Sequence, residues 1–387
     1  MARKKITMGD AEKELIKFLG EDTVFLNGDV SIGRYEAIGT GSPLLDHAIG
    51  IGGVPRGRIT QLAGKESSGK TMLALSCIKT FLDENPENTA LFIDAEFTYD
   101  PKWAASLGVD TSRVMVLKTN DAKKIFEGLL GVSSYNSRTG KTTKKVMGIL
   151  DYVIEGTSER FKNLGVVVLD SIAALNTPIE TVAEIGKANM APVPRFLSTE
   201  LKKLTPIVAE SNVAFIGINQ VRVNLGQMYG DPTSSPGGKA LKHACSLMVN
   251  MAQISGADSY ITSDSGDRIG HKVRAKIGKN KVGRPFRTCE YSIEYTKGVV
   301  KEEDEVLELA ILCGYVTRPN NRTYLYNDEK FVGRPAILAH LMSFPDVISE
   351  LLLKIRDDYI NGDLSGPSDV REDVASSSVI DELITIV

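Results

Sequence analysis

RITQLAGKESSGKTMLALS, residues 58–76, passes from a short apolar, β-branched segment through a glycine-bracketed polar loop into apolar positions spaced three to four apart. That order, strand then loop then helix, is the setting a phosphate-binding loop requires. Gly64, Gly69, Lys70 and Thr71 fit G-x-x-x-x-G-K-[ST], with Lys65, Glu66, Ser67 and Ser68 between the glycines. The glycines let successive backbone N–H groups curl around phosphate oxygens, and the helix N-terminus adds its positive end. Lys70 is placed to reach the β- and γ-phosphates and the Thr71 hydroxyl to ligate Mg²⁺, so the implied ligand is ATP with its magnesium. A second Gly-Lys-Thr lies in SRTGKTTKK, Ser137–Lys145, but Tyr135 stands five residues before its glycine and no apolar strand precedes it. It reads as an exposed, solvated basic loop.

Three further segments have the form of buried strands that end in polar groups. NLGVVVLDSIAAL is a continuous apolar run ending at Asp170, as expected of a central parallel strand. The C-terminal edge of such a sheet faces the ligand crevice, which makes Asp170 the candidate Walker-B acid, holding Mg²⁺ through a water. A plain helix-capping aspartate would explain its position but not its pairing with a Walker A segment. TALFIDAEFTYD ends in Asp94 and Glu96. A carboxylate there can polarise the attacking water, and Glu96, farther out, is the better candidate. VAFIGINQVR ends at Asn219 and Gln220, where a neutral amide can sense a γ-phosphate. Helical stretches such as DAKKIFEGLLG and RFLSTELKKLTPIVAES alternate with these strands. The pattern predicts an α/β fold whose mainly parallel central sheet is covered on both faces.

The 387 residues, 42% of them hydrophobic, can bury a full core. By length they predict about two to three domains. No apolar run is long enough to span a bilayer, and MARKKITMGDAEKELIKF turns polar where a signal peptide needs its apolar stretch, so a soluble, cytoplasmic protein is expected. Cys77, Cys245, Cys289 and Cys313 include no close pair, which predicts reduced thiols, and the four histidines have no ligand spacing. Eight acids stand against Arg371 between Asp357 and Val387, a balance of −7; with the whole chain at −3, residues 1–356 carry +4. The acidic end reads as a solvated terminus, with mimicry of a polyanion as the sharper alternative.

EIGKANMAPVPRF (184–196) and QVRVNLGQMYGDPTSSPGGKALK (220–242) are rich in Gly, Pro and Ser, with isolated cations and a few apolar residues. Composition alone suits a mobile lid better than a groove for single-stranded DNA, in which cations follow phosphate and Met or Leu wedges between bases. A resemblance decides between them. AIGTGSPLLDHAIGIGGVPRGRITQLAGKESSGKT, FIDAEFTYDP, VVVLDSIAAL, INQVR and SPGGKALK resemble, in order, signature segments of the bacterial RecA recombinase family. The similarity runs from about residue 10 to near 345, and IGTGSPLLDHAIGIGGVPRGRI is a lead-in that P-loop NTPases in general do not share.

The resemblance implies a RecA-type ATPase core with a small N-terminal helix–strand segment and a small C-terminal α/β domain. The expected division is 1–35 for polymerisation, 36–298 for the core with its DNA loops, 299–360 for the C-terminal domain and 361–387 for an acidic tail. It implies that Lys70 and Thr71 bind phosphate and Mg²⁺, that Glu96 activates water, and that Asp100 with Trp103 holds the adenine. Gln220 couples the γ-phosphate to the second loop. Met190, Arg195, Ser198, Lys202, Arg222, Leu225, Gly237, Gly238 and Lys239 fall on DNA-contacting positions. Lys279 and Lys281, in KIGKNKVGRPF, match paired lysines that reach a neighbouring subunit's ATP. The implied activity is DNA-stimulated ATP hydrolysis by a filament on single-stranded DNA that pairs with homologous duplex and exchanges strands. Single-strand binding and loader proteins are the further partners implied. A ring-forming motor with the same core and a non-catalytic DNA-coating mediator are the alternatives. Four features depart from the family: Trp103 for its usual tyrosine, His243 for an aromatic, Pro192 and Pro194 stiffening the first loop, and extra length in 131–163.

Overall fold

The computed structural model describes residues 35–136, 139, 141–177, 192–223, 233–234, 238–256, 259–300, 303–343 and 348–355. The expected N-terminal helix and strand, and the acidic tail, lie outside the described residues. From residue 36 the chain forms one compact unit. In it β1 (Ala37–Ile38) pairs with β2 (Val54–Pro55), and between them helix Pro43–Ile49 starts at Ser42, whose hydroxyl accepts the Leu45 N–H at 3.2 Å.

An α/β alternation follows. β3 (Ile59–Gly64) leads to helix Lys70–Glu84, β4 (Thr89–Asp94) to helix Pro101–Ser106, and β5 (Val114–Lys118) to helix Ala122–Leu130. A hairpin of β6 (Val132–Asn136) and β7 (Lys141–Val146) precedes helix Ile149–Glu155 and β8 (Leu164–Asp170). Helix Pro192–Ser211 and β9 (Ala214–Gln220) come next, then β10 (Arg222–Val223), paired with β11 (Thr233–Ser234), and helix Gly238–Ala244. The core closes with β12 (Leu247–Gln253), β13 (Tyr260–Thr262), β14 (Arg268–Asn280), β15 (Thr288–Glu294) and β16 (Gly298–Val300).

Ten of these strands form one sheet in the order β16-β15-β14-β12-β3-β9-β8-β4-β5, with β13 paired to the first residues of β14, before the stretch that pairs with β12. The five pairings from β12 through β3, β9, β8 and β4 to β5 are all parallel, as the buried apolar runs predicted. β13 to β16 add an antiparallel extension, built from short turns that need no crossover helix. Successive strand residues point to opposite faces, and the two cores divide accordingly. Phe92, Val166, Val168, Ile216 and Ile218 pack under the helix that follows the phosphate loop, with Leu73, Leu75, Ile78 and Phe81. Leu91, Ile93, Val167, Leu169 and Phe215 pack on the other face, against Ile125, Phe126 and Leu129 and against Leu197, Leu201 and Leu204.

Two expectations are corrected. SRTGKTTKK is not a plain loop: from Lys141 on it lies in β7, paired with β6, with Val132 opposite Val146 and Asn136 opposite Lys141. The hairpin's neck is set by two glycines. A Cβ on Gly131 would come within 2.3 Å of the Val146 carbonyl oxygen, and one on Gly148 within 2.3 Å of the Gly131 nitrogen. Pro192 and Pro194 do not stiffen a loop; they occupy the first turn of helix Pro192–Ser211, where a missing N–H costs no hydrogen bond. All four cysteines are free thiols, Cys77 and Cys245 buried and the other two half-buried.

Beyond β16, helix Glu303–Leu312, a three-stranded sheet of β17 (Thr317–Asn320), β18 (Thr323–Tyr326) and β19 (Glu329–Val332), and helices Arg334–Ser343 and Ile348–Ile355 enclose a third core. Leu307, Leu309, Tyr324, Ile337 and Leu351 fill it. It meets the main body at Glu305, which takes the Ser42 hydroxyl and, at 3.4 Å, the Leu44 N–H. Among the described residues no single helix is long and apolar enough to cross a membrane.

Candidate active site

The loop after β3 has the shape its sequence predicted. Ser67 and Gly69 take left-handed conformations, φ +60° and +82°, and helix Lys70–Glu84 begins directly after them. Gly64 is obligatory for another reason: a Cβ there would meet the Met251 carbonyl oxygen at 2.3 Å and Ser68 Oγ at 2.6 Å. Lys70 Nζ is folded back over the loop, donating to the Lys65 carbonyl at 2.6 Å and to Ser68 Oγ at 3.3 Å. Burial lowers the pKa of this ammonium, against the opposing pull of Asp170, Glu96 and Glu66. A phosphate oxygen is a far better partner for it than the neutral acceptors it holds.

β4, β8 and β9 bring the polar strand ends together. Their register sets Asp94 opposite Asp170 and, on the β3 side, Gln220 opposite Gly64. Thr71 Oγ1 donates to Asp170 Oδ2 at 2.8 Å. Burial pushes the Asp170 carboxyl up to about 6, and the nearby charges of Glu96 and Asp94 add to that, while the Thr71 hydrogen bond and Lys70 oppose it. A hydroxyl and a carboxylate that close, beside a phosphate loop, make a hard-oxygen donor pair of the kind Mg²⁺ takes, so the residues present fit the ion.

The two acids after β4 separate by structure. Asp94 is fully buried and accepts the Thr98 and Tyr99 N–H groups at 3.0 and 3.1 Å, with Lys118 at 3.8 Å. Its carboxylate is spent on holding the turn that follows. Glu96, half-buried on that turn, takes the Ser171 hydroxyl and, at 3.3 Å, the Gln220 side-chain N–H. It is thus tethered to the ends of β8 and β9 at once. Asp100 caps helix Pro101–Ser106, accepting the Lys102 N–H at 2.8 Å. Trp103, on the same helix, is half-buried against the first core and donates its indole N–H to the Tyr295 carbonyl at 3.2 Å.

Lys279 and Lys281 are not part of this cluster. Lys279 pairs with Met248, which pairs with Gln61, so it lies level with a point three residues before Gly64, two strands away. The Lys281 N–H bonds to the Ser246 carbonyl at 2.9 Å, and Ser246 in turn bonds to Ile59, at the far end of β3. At about 3.3 Å per residue, the separation along the strand is roughly 10 to 17 Å. The Lys279 ammonium is directed farther away still, onto the carbonyls of Lys242 and, at 3.5 Å, His243. Burial lowers its pKa, and Lys281 lowers it further.

Of the residues expected to contact DNA, Arg195, Ser198 and Lys202 recur at three and four residues on helix Pro192–Ser211, which places them on one face; Arg195 and Lys202 are exposed. Gly238 and Lys239 open helix Gly238–Ala244, both exposed. Arg222 lies in β10, beside Gln220. Met190, Leu225 and Gly237 lie outside the described residues, with most of both loops.

The model of the RecA N-terminal domain family matches residues 6–134 and 138–300, two stretches that meet at the β6–β7 hairpin. The chain belongs to the RecA family. It is 34% identical over 372 residues to Protein RecA of Dichelobacter nodosus, covering 95% of this chain and 96% of that one. It is 34% identical over 354 residues to Protein RecA of Ruminococcus albus (91% and 80%), and 33% over 358 residues to that of Aquifex aeolicus (92% and 94%).

Ser171 and Tyr295 are site residues that the sequence reading missed. Ser171, directly after Asp170, could have been found as a hydroxyl at the same strand edge. Tyr295 acts through its backbone carbonyl, which leaves no mark in the sequence.

Proposed function

We propose that this RecA-family chain is a DNA-dependent ATPase that polymerises head to tail on single-stranded DNA, pairs it with homologous duplex and exchanges strands. The supporting observation is the division of the hydrolytic groups between two edges of one sheet. Glu96, Lys70, Thr71, Asp170 and Gln220 gather at one edge, while Lys279 and Lys281 lie at the other, too far away to serve their own phosphate loop. Phosphoryl transfer needs cations on the oxygens that gain charge. In this chain a neighbouring copy supplies part of that cation set.

The roles follow from the contacts. The loop Gly64–Thr71 cradles the phosphates of ATP, with Lys70 across the terminal two. Thr71 and Asp170 would hold Mg²⁺, which when bound would neutralise phosphate charge. Glu96 takes the proton of the attacking water, and its bonds from Ser171 and Gln220 fix its orientation. Asp100 and Trp103 hold the adenine, a flat indole serving where the family has a phenol. Because Gln220 touches Glu96 and stands two residues before Arg222, a shift at the phosphate is transmitted to the second DNA loop. Arg195, Ser198, Lys202, Arg222, Gly238 and Lys239, with Met190, Leu225 and Gly237, line the path of the strand. Residues 1–35 serve polymerisation, 299–360 form a domain that gathers duplex, and 361–387 form the acidic tail. The setting is the bacterial cytoplasm, with single-strand binding and loader proteins as partners.

The test is hydrolysis measured against added single-stranded DNA, with electron micrographs of the same samples. Turnover should rise with DNA and with protein concentration as helical filaments form. Equal turnover by dilute monomers without DNA would refute the shared site, and closed hexamers would point to a ring-forming motor.

A further inference from the structure

Two phenylalanines are held in left-handed backbone conformations, and both face solvent: Phe97, φ +61° and 56% exposed, and Phe286, φ +68° and 70% exposed. A bulky side chain at positive φ is strained, and such strain persists only where the surroundings enforce it, most often at functional sites. An exposed aromatic gains nothing for the isolated fold from that position. The two residues mark opposite edges of the sheet. Phe97 follows Glu96 at the phosphate edge, and Phe286 ends the turn from β14 to β15, close after Lys279 and Lys281.

The Phe286 turn is rigid. Asn280 Nδ2 donates to the Ile49 carbonyl at 2.8 Å, Arg287 Nη1 to the His47 carbonyl at 2.9 Å, and the Phe286 N–H to the Ile277 carbonyl at 2.7 Å. Gly283 lies so close to helix Pro43–Ile49 that a Cβ would meet the Ile49 carbonyl oxygen at 2.5 Å. The body of the protein therefore sets the turn before any partner arrives, and little ordering entropy remains to be lost on docking. Charge identifies the partner. The turn and the strand end before it carry Lys279, Lys281 and Arg284, none with a carboxylate partner among the described residues, whereas the phosphate edge carries Glu66, Glu96, Asp100 and Asp170. The surface most complementary to one edge is the other edge of a second copy.

We propose that Phe286 is an anchor in a head-to-tail contact between copies of this chain, seated against Phe97 at the phosphate edge of the next copy. This rests on the shared-site reading above and adds to it an apolar contact that fixes the reach of the two lysines. Rigid aromatic anchors of this kind dominate interface energetics.

The test uses the full chain with Phe286→Gly, Phe97→Gly and the double variant. Assembly is followed by light scattering across a protein dilution series with single-stranded DNA and ATP, and melting is followed on dilute protein without DNA. Glycine relieves the strain, so each single variant should melt at or above the temperature of the unmodified chain. Its concentration for half-maximal assembly should rise about tenfold or more, and the double variant should add little to either single. Unchanged assembly of Phe286→Gly would overturn the proposal, and so would a fall in melting temperature, which would mean that the side chain serves its own fold. Additive effects in the double variant would overturn the Phe97 seat. Failure of the unmodified chain to assemble or hydrolyse would instead overturn the proposed function.

Discussion

Asp170 gives the most quantitative handle on the site. The carboxyl is 5% exposed, and its pKa is raised from 3.8 to about 6, first by burial. A difference of about 2 units, at roughly 1.36 kcal/mol each, amounts to about 3 kcal/mol. The sign follows from proton binding. With the folded pKa above the unfolded one, the folded chain holds more protons between pH 3.8 and about 6, so stability falls as pH rises through that window and levels off above it. Asp170→Asn cannot titrate and keeps an oxygen for the Thr71 hydroxyl. In magnesium-free, nucleotide-free buffer the variant should be more stable than the unmodified protein by about 3 kcal/mol at pH 7.5 and by roughly half that at pH 5. Denaturant unfolding with a chelator present, at four or five pH values, reads the gap directly. A gap that does not change with pH, or an unmodified protein that is the more stable at neutral pH, would refute the reasoning. Saturating Mg²⁺ and ATP should narrow the gap, because ligand that binds the native state stabilises it and the variant has lost one ligating group.

Other outcomes follow from the same geometry. Lys70→Ala should abolish hydrolysis, read by phosphate release, with little change in melting temperature, because the ammonium it removes is buried against neutral acceptors. Neither Glu96→Gln nor Lys279→Ala should hydrolyse ATP alone, yet an equimolar mixture should recover about a quarter of the unmodified rate, the share of junctions that join an intact Glu96 to an intact Lys279. Recovery absent from co-assembled filaments would contradict the trans role. Gly131→Ala combines a φ of +73° with a Cβ 2.3 Å from the Val146 carbonyl oxygen, so it should destabilise the hairpin neck by about 2 kcal/mol or more, read by denaturant unfolding or by faster proteolysis within 132–146. Removing residues 363–387 should leave the salt slope of single-stranded DNA binding unchanged if the tail is merely solvated; a changed slope would support the polyanion alternative.

How much of this was legible in the sequence depends on the range of the physics involved. The phosphate loop was legible because its chemistry acts over eight consecutive residues, each constrained by backbone geometry. The parallel core could be read from apolar runs such as GVVVL, since burial on both faces suppresses alternation. The choice of Glu96 over Asp94 rested on position alone, whereas the two N–H groups that occupy Asp94 lie in a turn that no periodicity announces. The hairpin was misread because Ser and Lys give weak strand signals, and its pairing depends on the close approach of Gly131 and Gly148 across sixteen intervening residues. The position of Lys279 was illegible without the register of β14 on β12 and of β12 on β3, a long-range property of the sheet.

With the proposed reaction centre at one rim of the sheet and its proposed trans cations at the other, a linear assembly has a polarity. If the site is shared as proposed, a row of n copies contains n − 1 finished centres: the terminal copy at one end would hold nucleotide it cannot turn over, and the copy at the opposite end would present lysines with nothing to act on. Growth and loss of subunits are then chemically unequal at the two tips, because only one tip can keep its triphosphate intact while the interior consumes its own. On that reading, direction along the polynucleotide would be written into the register of one β-strand.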